Sequence, residues 1–215
     1  MALITEDFNT YTIGTNLNTL NNGSGWSAAW TSGGVPIGAP INGKINKIAQ
    51  ISTSSDNCAR TFNTLDAYKL KLDAYIIKNA STSMIYFGLT AGGNEYKFVF
   101  NNDTFFDYRY NGLTSTGNPN PFPSLNKWYK VTIIIDTIIN VNNVIFYVDD
   151  VATATFSTTI TSLSGAVFQV LASGFASGLS FTDLKIEVTS PTMYIKPKMN
   201  DILIRPRPFS PGFAR

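Results

Sequence analysis

The feature that most constrains this chain is a succession of short β-branched and aromatic runs, each closed by Gly, Asn, Asp or Pro. No long stretch places apolar residues at helical spacing. The run Lys130–Asp136 (KVTIIID) begins by alternating and then becomes continuously apolar. Its neighbour Val144–Val148 (VIFYV) is apolar nearly throughout. Val131 to Ile135 are all β-branched; such residues lose rotamer freedom in a helix and fit a pleated strand. Apolar runs of this length between turn residues read as strands covered on both faces. The same reading places strands at Tyr68–Ile77, Ser83–Thr90, Glu95–Asn101, Thr104–Tyr110, Trp128–Asp136, Val144–Asp149, Ala166–Leu171 and Leu179–Val188. Asn140–Asn143, Ala91–Asn94 and Asn111–Gly112 supply connections, because Asn and Gly tolerate positive φ. The fold class that follows is all-β, an antiparallel two-sheet sandwich.

At 215 residues the chain can bury a substantial core without staples. Its single cysteine, Cys58, forms no intrachain disulfide and is expected to be a small buried residue. Charged residues are only 14% of the chain, so Asn, Thr and Ser carry the polar surface. Met1–Asp7 has no basic region followed by an apolar run, and the longest apolar runs are strand-sized. Synthesis in a cytoplasm and no membrane span are expected. The count of 0 histidines removes His-dependent triads, Cys–His dyads and His-containing zinc sites. A lone cysteine removes thiolate zinc and iron–sulfur sites. No cofactor is expected.

Residues 10–47 are rich in Gly, Asn, Ser and Thr. They read as a wrapping segment with one or two short strands, and Trp26, Trp30 and Trp128 read as core anchors. Composition changes after Ser190: Pro191, Pro197, Pro206, Pro208 and Pro211 are half of the chain's 10 prolines. Proline lacks the N–H that a sheet interior needs. Residues 191–215 are therefore expected to form an extended, basic docking arm beside a sandwich of residues 1–190. Charge divides in the same way. Lys196, Lys198, Arg205, Arg207 and Arg215 against Asp201 give residues 196–215 a net +4. Removing these from 16 basic and 14 acidic residues leaves 11 and 13, a net −2, in residues 1–195.

The order of these features resembles the concanavalin A-like, laminin G-like jelly-roll domains. Glu6–Asn18 followed by Gly25–Trp30 is similar to their opening segment. Trp128–Asp136, Val144–Asp150 and Ala154–Phe156 are similar to their central hairpin, and Gly178–Val188 to their closing strand. The resemblance implies a jelly-roll fold. It leaves function open, since lectins, glucanases, adhesion modules and virion proteins share that fold. Asn200–Arg215 resembles the C-terminal arms of tailed-phage structural proteins. Together the two resemblances imply a bacteriophage virion accessory protein, a capsid decoration or fibre component, found in the virion. Its arm would dock on other virion proteins or in a homo-oligomer while the sandwich faces outward.

Candidate chemistry can be weighed residue by residue. A glucanase-type hydrolase needs two carboxylates flanking a cleft. The related enzymes carry Glu-x-Asp-x-x-Glu on one strand face, but here Glu6, Glu95 and Glu187 are far apart, and Asp103 and Asp107 have ordinary turn spacing. The chain is therefore read as a binding protein and not an enzyme, with glycoside hydrolysis ranked third. Asp149 and Asp150 follow a strand and could offer oxygens to calcium, yet Asp pairs favour tight turns; the turn is the expectation and no metal site is assigned. A lectin-like module binding a host-surface glycan is the alternative to the virion role. Its platforms would be Tyr96, Phe106, Tyr108 and Tyr110, which alternate on neighbouring strands, with core packing as their competing role. In the arm, Ile202, Leu203, Ile204, Phe209 and Phe213 interleave with Arg205, Arg207 and Arg215. A free tail gains nothing from so many large apolar side chains. Docking on a neighbouring chain is expected, through a strand added at Asp201–Arg205, pocketed phenylalanines and bidentate arginines, with packing on the chain's own sandwich as the competing role. Apolar residues outnumber basic ones there, so no specific nucleic acid is expected.

Overall fold

Alternation along the long strands sorts side chains to two faces, and the apolar faces of two sheets meet. The structure is a computed structural model describing residues 1–79, 84–100, 105–110, 113–121, 124–173 and 178–191; for residues 105, 106 and 113–121 it defines the backbone alone. Strands are numbered in chain order. The first sheet runs β13 (Val151–Phe156), β12 (Val144–Val148), β11 (Trp128–Asp136), β6 (Lys69–Lys78), β15 (Leu179–Thr189), β4 (Ile48–Ile51) and β3 (Ile37–Gly38), and β1 (Ala2–Glu6) also pairs with β15. The second runs β10 (Leu113–Pro121), β9 (Phe105–Tyr110), β8 (Asn94–Phe100), β7 (Met84–Ala91), β14 (Val167–Ser173), β5 (Asn57–Thr61) and β2 (Thr31–Ser32). The pairings described are antiparallel. The fold is the expected all-β, two-sheet sandwich.

The register shows why these runs are strands. Ile133 of β11 stands opposite Leu72 of β6 and Phe146 of β12, and all three are buried. Leu70, Leu72, Ala74 and Ile76 bury one face of β6, while Lys69, Lys71 and Tyr75 take the other. Phe87, Phe168 and Phe181 fill the space between the sheets, with ring centroids 5.3 to 5.7 Å apart. Edge-on and tilted aromatic contacts of this kind add to the area buried. Trp30 is buried and meets Phe168 edge-on at 5.9 Å. Trp26 and Trp128 are half-buried, and the Trp128 indole donates to the Ile41 carbonyl at 3.1 Å. Cys58 is buried, as expected.

Asp149 and Asp150 form a two-residue hairpin turn between β12 and β13, with φ of 48° and 63°. Positive φ at both positions suits the strands' right-handed twist, and Asp tolerates it. Both carboxylates are engaged by Lys130: Asp149 accepts its backbone N–H at 2.9 Å and Asp150 its ammonium at 2.6 Å. Gly92 and Gly93, with φ of 56° and 79°, make the matching turn between β7 and β8.

Candidate functional site

The tyrosines proposed as sugar platforms do share a face, but it is the inner one. Tyr96 and Tyr108 are 0% and 1% exposed. Tyr108 packs on Phe98 and Phe146 at 5.8 and 5.1 Å. Tyr110 is half-buried with its ring stacked on Phe156 at 3.9 Å. These three rings are therefore core and edge packing, not platforms, because their faces are already covered by protein. The Phe106 side chain and the arm residues Ile202, Leu203, Ile204, Arg205, Arg207, Phe209, Phe213 and Arg215 lie outside the described residues.

The glutamates are each tied to a cation. Glu187 meets Lys185 at 2.6 Å, and Glu95 meets Lys97 at 2.7 Å and Arg109 at 2.5 Å. Glu6 is the most enclosed. Its Oε2 takes Arg60 at 2.9 Å, the Tyr11 hydroxyl at 2.8 Å and the Trp30 indole at 3.3 Å, while Oε1 takes the Phe8 N–H at 3.1 Å. Burial holds this carboxyl above the usual carboxylate range, and the four donors offset only part of that rise. Arg60 also donates to the carbonyls of Ala28 and Asn22 and to Asn21 Oδ1. With its oxygens held by donors this is a strut that fixes the wrapping segment to both sheets, and it presents nothing to a substrate. Among the described residues no group of three or more His, Cys, Asp or Glu could hold a metal ion.

An open groove of about 820 Å³ lies at one end of the sandwich, between the β5–β6 and β13–β14 connections. The first wall begins at Phe62. Asn63 Oδ1 accepts the Leu65 N–H at 2.9 Å and the Thr64 carbonyl accepts the Ala67 N–H at 3.0 Å, which closes a tight turn. Asp66 sits at its tip with φ of 55°. Ser190 at the end of β15 donates to the Leu65 carbonyl at 3.2 Å.

The second wall, Thr161 to Gly165, is held from below. Ile160 and Leu163 are buried as plugs. The Gly92 N–H donates to the Ser164 carbonyl at 3.0 Å, and a Cβ at Gly92 would come within 2.2 Å of the Ser162 carbonyl oxygen. The glycine turn is thus required both for its φ and for this close approach. Buried Asn143 makes a paired contact with the same connection: its Nδ2 donates to the Thr158 carbonyl at 2.7 Å and its Oδ1 accepts the Thr158 N–H at 2.8 Å. Ser27 and Pro191 complete the lining. The groove is lined by Ser27, buried Thr64, Thr161, Ser162 and Ser164, the Asn63 amide and the Asp66 carboxylate around an exposed Leu65; the Ser27 hydroxyl is bonded to Thr61 Oγ1 and Ser162 Oγ accepts the Ser164 N–H. No motif marks it in the sequence, because its walls come from two loops far apart along the chain.

No family model and no curated protein matches the sequence. The sandwich is similar to several solved structures. Botulinum neurotoxin type C, which enters cells through interaction with two ganglioside molecules, superposes with a TM-score of 0.55 at 13% identity, over 89% of this chain and 48% of the toxin chain. What the two share is the β-sandwich fold. A protein of unknown function from Shewanella oneidensis aligns with a TM-score of 0.56 at 15% identity, over 86% of this chain and 85% of its own. Trypanosoma rangeli sialidase aligns at 0.50 and 12%, over 71% of this chain and 27% of the enzyme. This chain spans about half of the toxin chain it matches, and at such identities the likeness is one of fold.

Proposed function

We propose that the chain is a lectin-like module that binds a saccharide in the groove between Phe62–Ala67 and Thr161–Gly165. The observation that carries this reading is the lining. Short hydroxyl and amide side chains surround exposed Leu65, and Phe62 and Leu163 lie beneath. Sugars present both polar and C–H faces, and small-ligand sites of this kind combine an apolar contact with a few placed polar groups. A toxin that interacts with gangliosides shares the fold, which supports saccharide binding by such a sandwich without fixing the charge of the saccharide or the place where it binds. Binding without turnover fits the engagement of each glutamate by a cation. The test is a glycan array followed by calorimetry on the hits. Leu65→Ala and Thr161→Ala should weaken binding, while Tyr75→Ala, on the outer face of β6, should not. Absence of binding to any glycan would sink the reading.

A second reading, a virion accessory protein anchored through its C-terminal segment, is supported by the composition of residues 191–215. The two are compatible, since a sandwich carried on a particle could present the groove to a host-surface glycan. Removing residues 192–215 keeps Pro191 of the groove wall. It should leave glycan binding intact and abolish co-sedimentation with particles; continued co-sedimentation would refute the anchoring role.

A further inference from the structure

Among the described residues that line the groove, Asp66 is the one ionised side chain. The remainder are hydroxyls, one amide and apolar groups. The basic residues that flank this wall in sequence point elsewhere: Arg60 is held by Glu6 at 2.9 Å and Lys69 is directed to Asp136 at 3.5 Å. An acidic sugar entering here would meet a carboxylate with no cation in the described lining to offset it. Like charges brought together in a contact discriminate against the wrong ligand. A neutral saccharide has the opposite match, since two adjacent hydroxyls can both donate to one carboxylate in charge-assisted hydrogen bonds. Asp66 is exposed at the tip of its turn and so is accessible to such a pair. Asn63 Oδ1 is occupied by the Leu65 N–H, which leaves the Asn63 amide nitrogen to donate to a third sugar oxygen.

Resting on the glycan reading above, we infer that the groove selects uncharged saccharides, held through vicinal hydroxyls on Asp66, and discriminates against sialylated and other acidic glycans. The experiment uses the full-length chain and matched pairs of one oligosaccharide, with and without terminal sialic acid, titrated by calorimetry at one ionic strength. The neutral member should bind about two- to five-fold more tightly than its sialylated partner, the scale of one charge pair at an exposed site. Asp66→Asn keeps the shape and an αL-tolerant residue; it should weaken neutral-glycan binding about ten-fold and narrow the gap within each pair. Circular dichroism and thermal unfolding show that the variant is folded. Equal or tighter binding of the sialylated member overturns the inference and leaves the glycan reading standing, as does unchanged neutral-glycan binding by Asp66→Asn. Failure of every pair to bind overturns both.

Discussion

The guanidinium of Arg60 lies 2.9 Å from the Glu6 carboxylate, and each side chain is 1% exposed. Glu6 comes from β1 of one sheet and Arg60 from β5 of the other, so the pair fastens the sheets together. Removing one partner of a buried pair strands the other charge in a dry site, at roughly 3–5 kcal/mol. Arg60→Ala should lower the urea midpoint accordingly without changing the slope of the transition. Arg60→Met combined with Glu6→Gln should recover part of that loss, because neither charge is then buried. An additive double variant would show that the two do not interact.

Gly88 occupies the one position on β7 that faces both Lys97 of β8 and Gln169 of β14. The Lys97 ammonium reaches Gln169 at 2.8 Å, and the missing side chain at Gly88 leaves the path between them open. A Cβ there would also come within 2.3 Å of the Tyr96 carbonyl oxygen. The β8 backbone must shift to admit it, so Gly88→Ala should cost about 1–3 kcal/mol in thermal or denaturant unfolding. A variant as stable as the parent would refute the close packing.

The fold was legible where strands are long and β-branched. The run Trp128–Asp136 was read with the bounds of β11. β10 escaped because Gly117, Pro119 and Pro121 interrupt it and its register shifts between Ser115 and Asn120; an edge strand tolerates these, but a propensity reading does not find them. β1, β4 and β5 are short, and their sheet partners define them more than their composition does. The site was less legible for a simple reason. A period of two shows that Tyr96, Tyr108 and Tyr110 share a face, not which face it is. That was decided by the burial of Tyr96 and by Phe98 and Phe146 packing on Tyr108 and Phe156 on Tyr110. The groove required knowing that Asp66 and Ser162 become neighbours across two loops.

Cys58 is buried and its thiol is pushed well above its ordinary value by loss of hydration. The thiolate is the reactive form. Native protein should therefore resist disulfide reagents at neutral pH and react with one equivalent once denatured in urea. Rapid labelling of the native chain would contradict this burial.

Tyr11 is held up to about 12 by burial and by the adjacent Glu6 charge, and Tyr96 to about 12 by burial. Both values exceed the unfolded tyrosine pKa of about 10. A raised folded-state pKa contributes stability that is complete below the unfolded value and is lost as pH rises through the folded one. Stability should therefore fall between about pH 10 and 12. Tyr11→Phe should flatten that fall while lowering stability at pH 7, since the hydroxyl bonds to Glu6 are lost. An unchanged slope would remove Tyr11 from the transition.

Asn143 links stability to the groove. It is 2% exposed and uses both ends of its amide on the backbone of Thr158, imitating a strand pair where none continues. Thr158 begins the connection whose later residues, Thr161 to Gly165, form the second wall. Asn143→Ala leaves a buried N–H and a carbonyl unsatisfied, at about 1–3 kcal/mol. Asn143→Asp keeps the acceptor but replaces the donor with a charge facing the Thr158 carbonyl, so it should be at least as damaging. If this contact positions the wall, Asn143→Ala should also raise the saccharide Kd under conditions where the protein remains folded, and hydrogen exchange should quicken at residues 158–165 while β6 and β11 stay protected. Loss of stability with unchanged binding and unchanged exchange in that loop would mean that Ile160 and Leu163 hold the wall on their own.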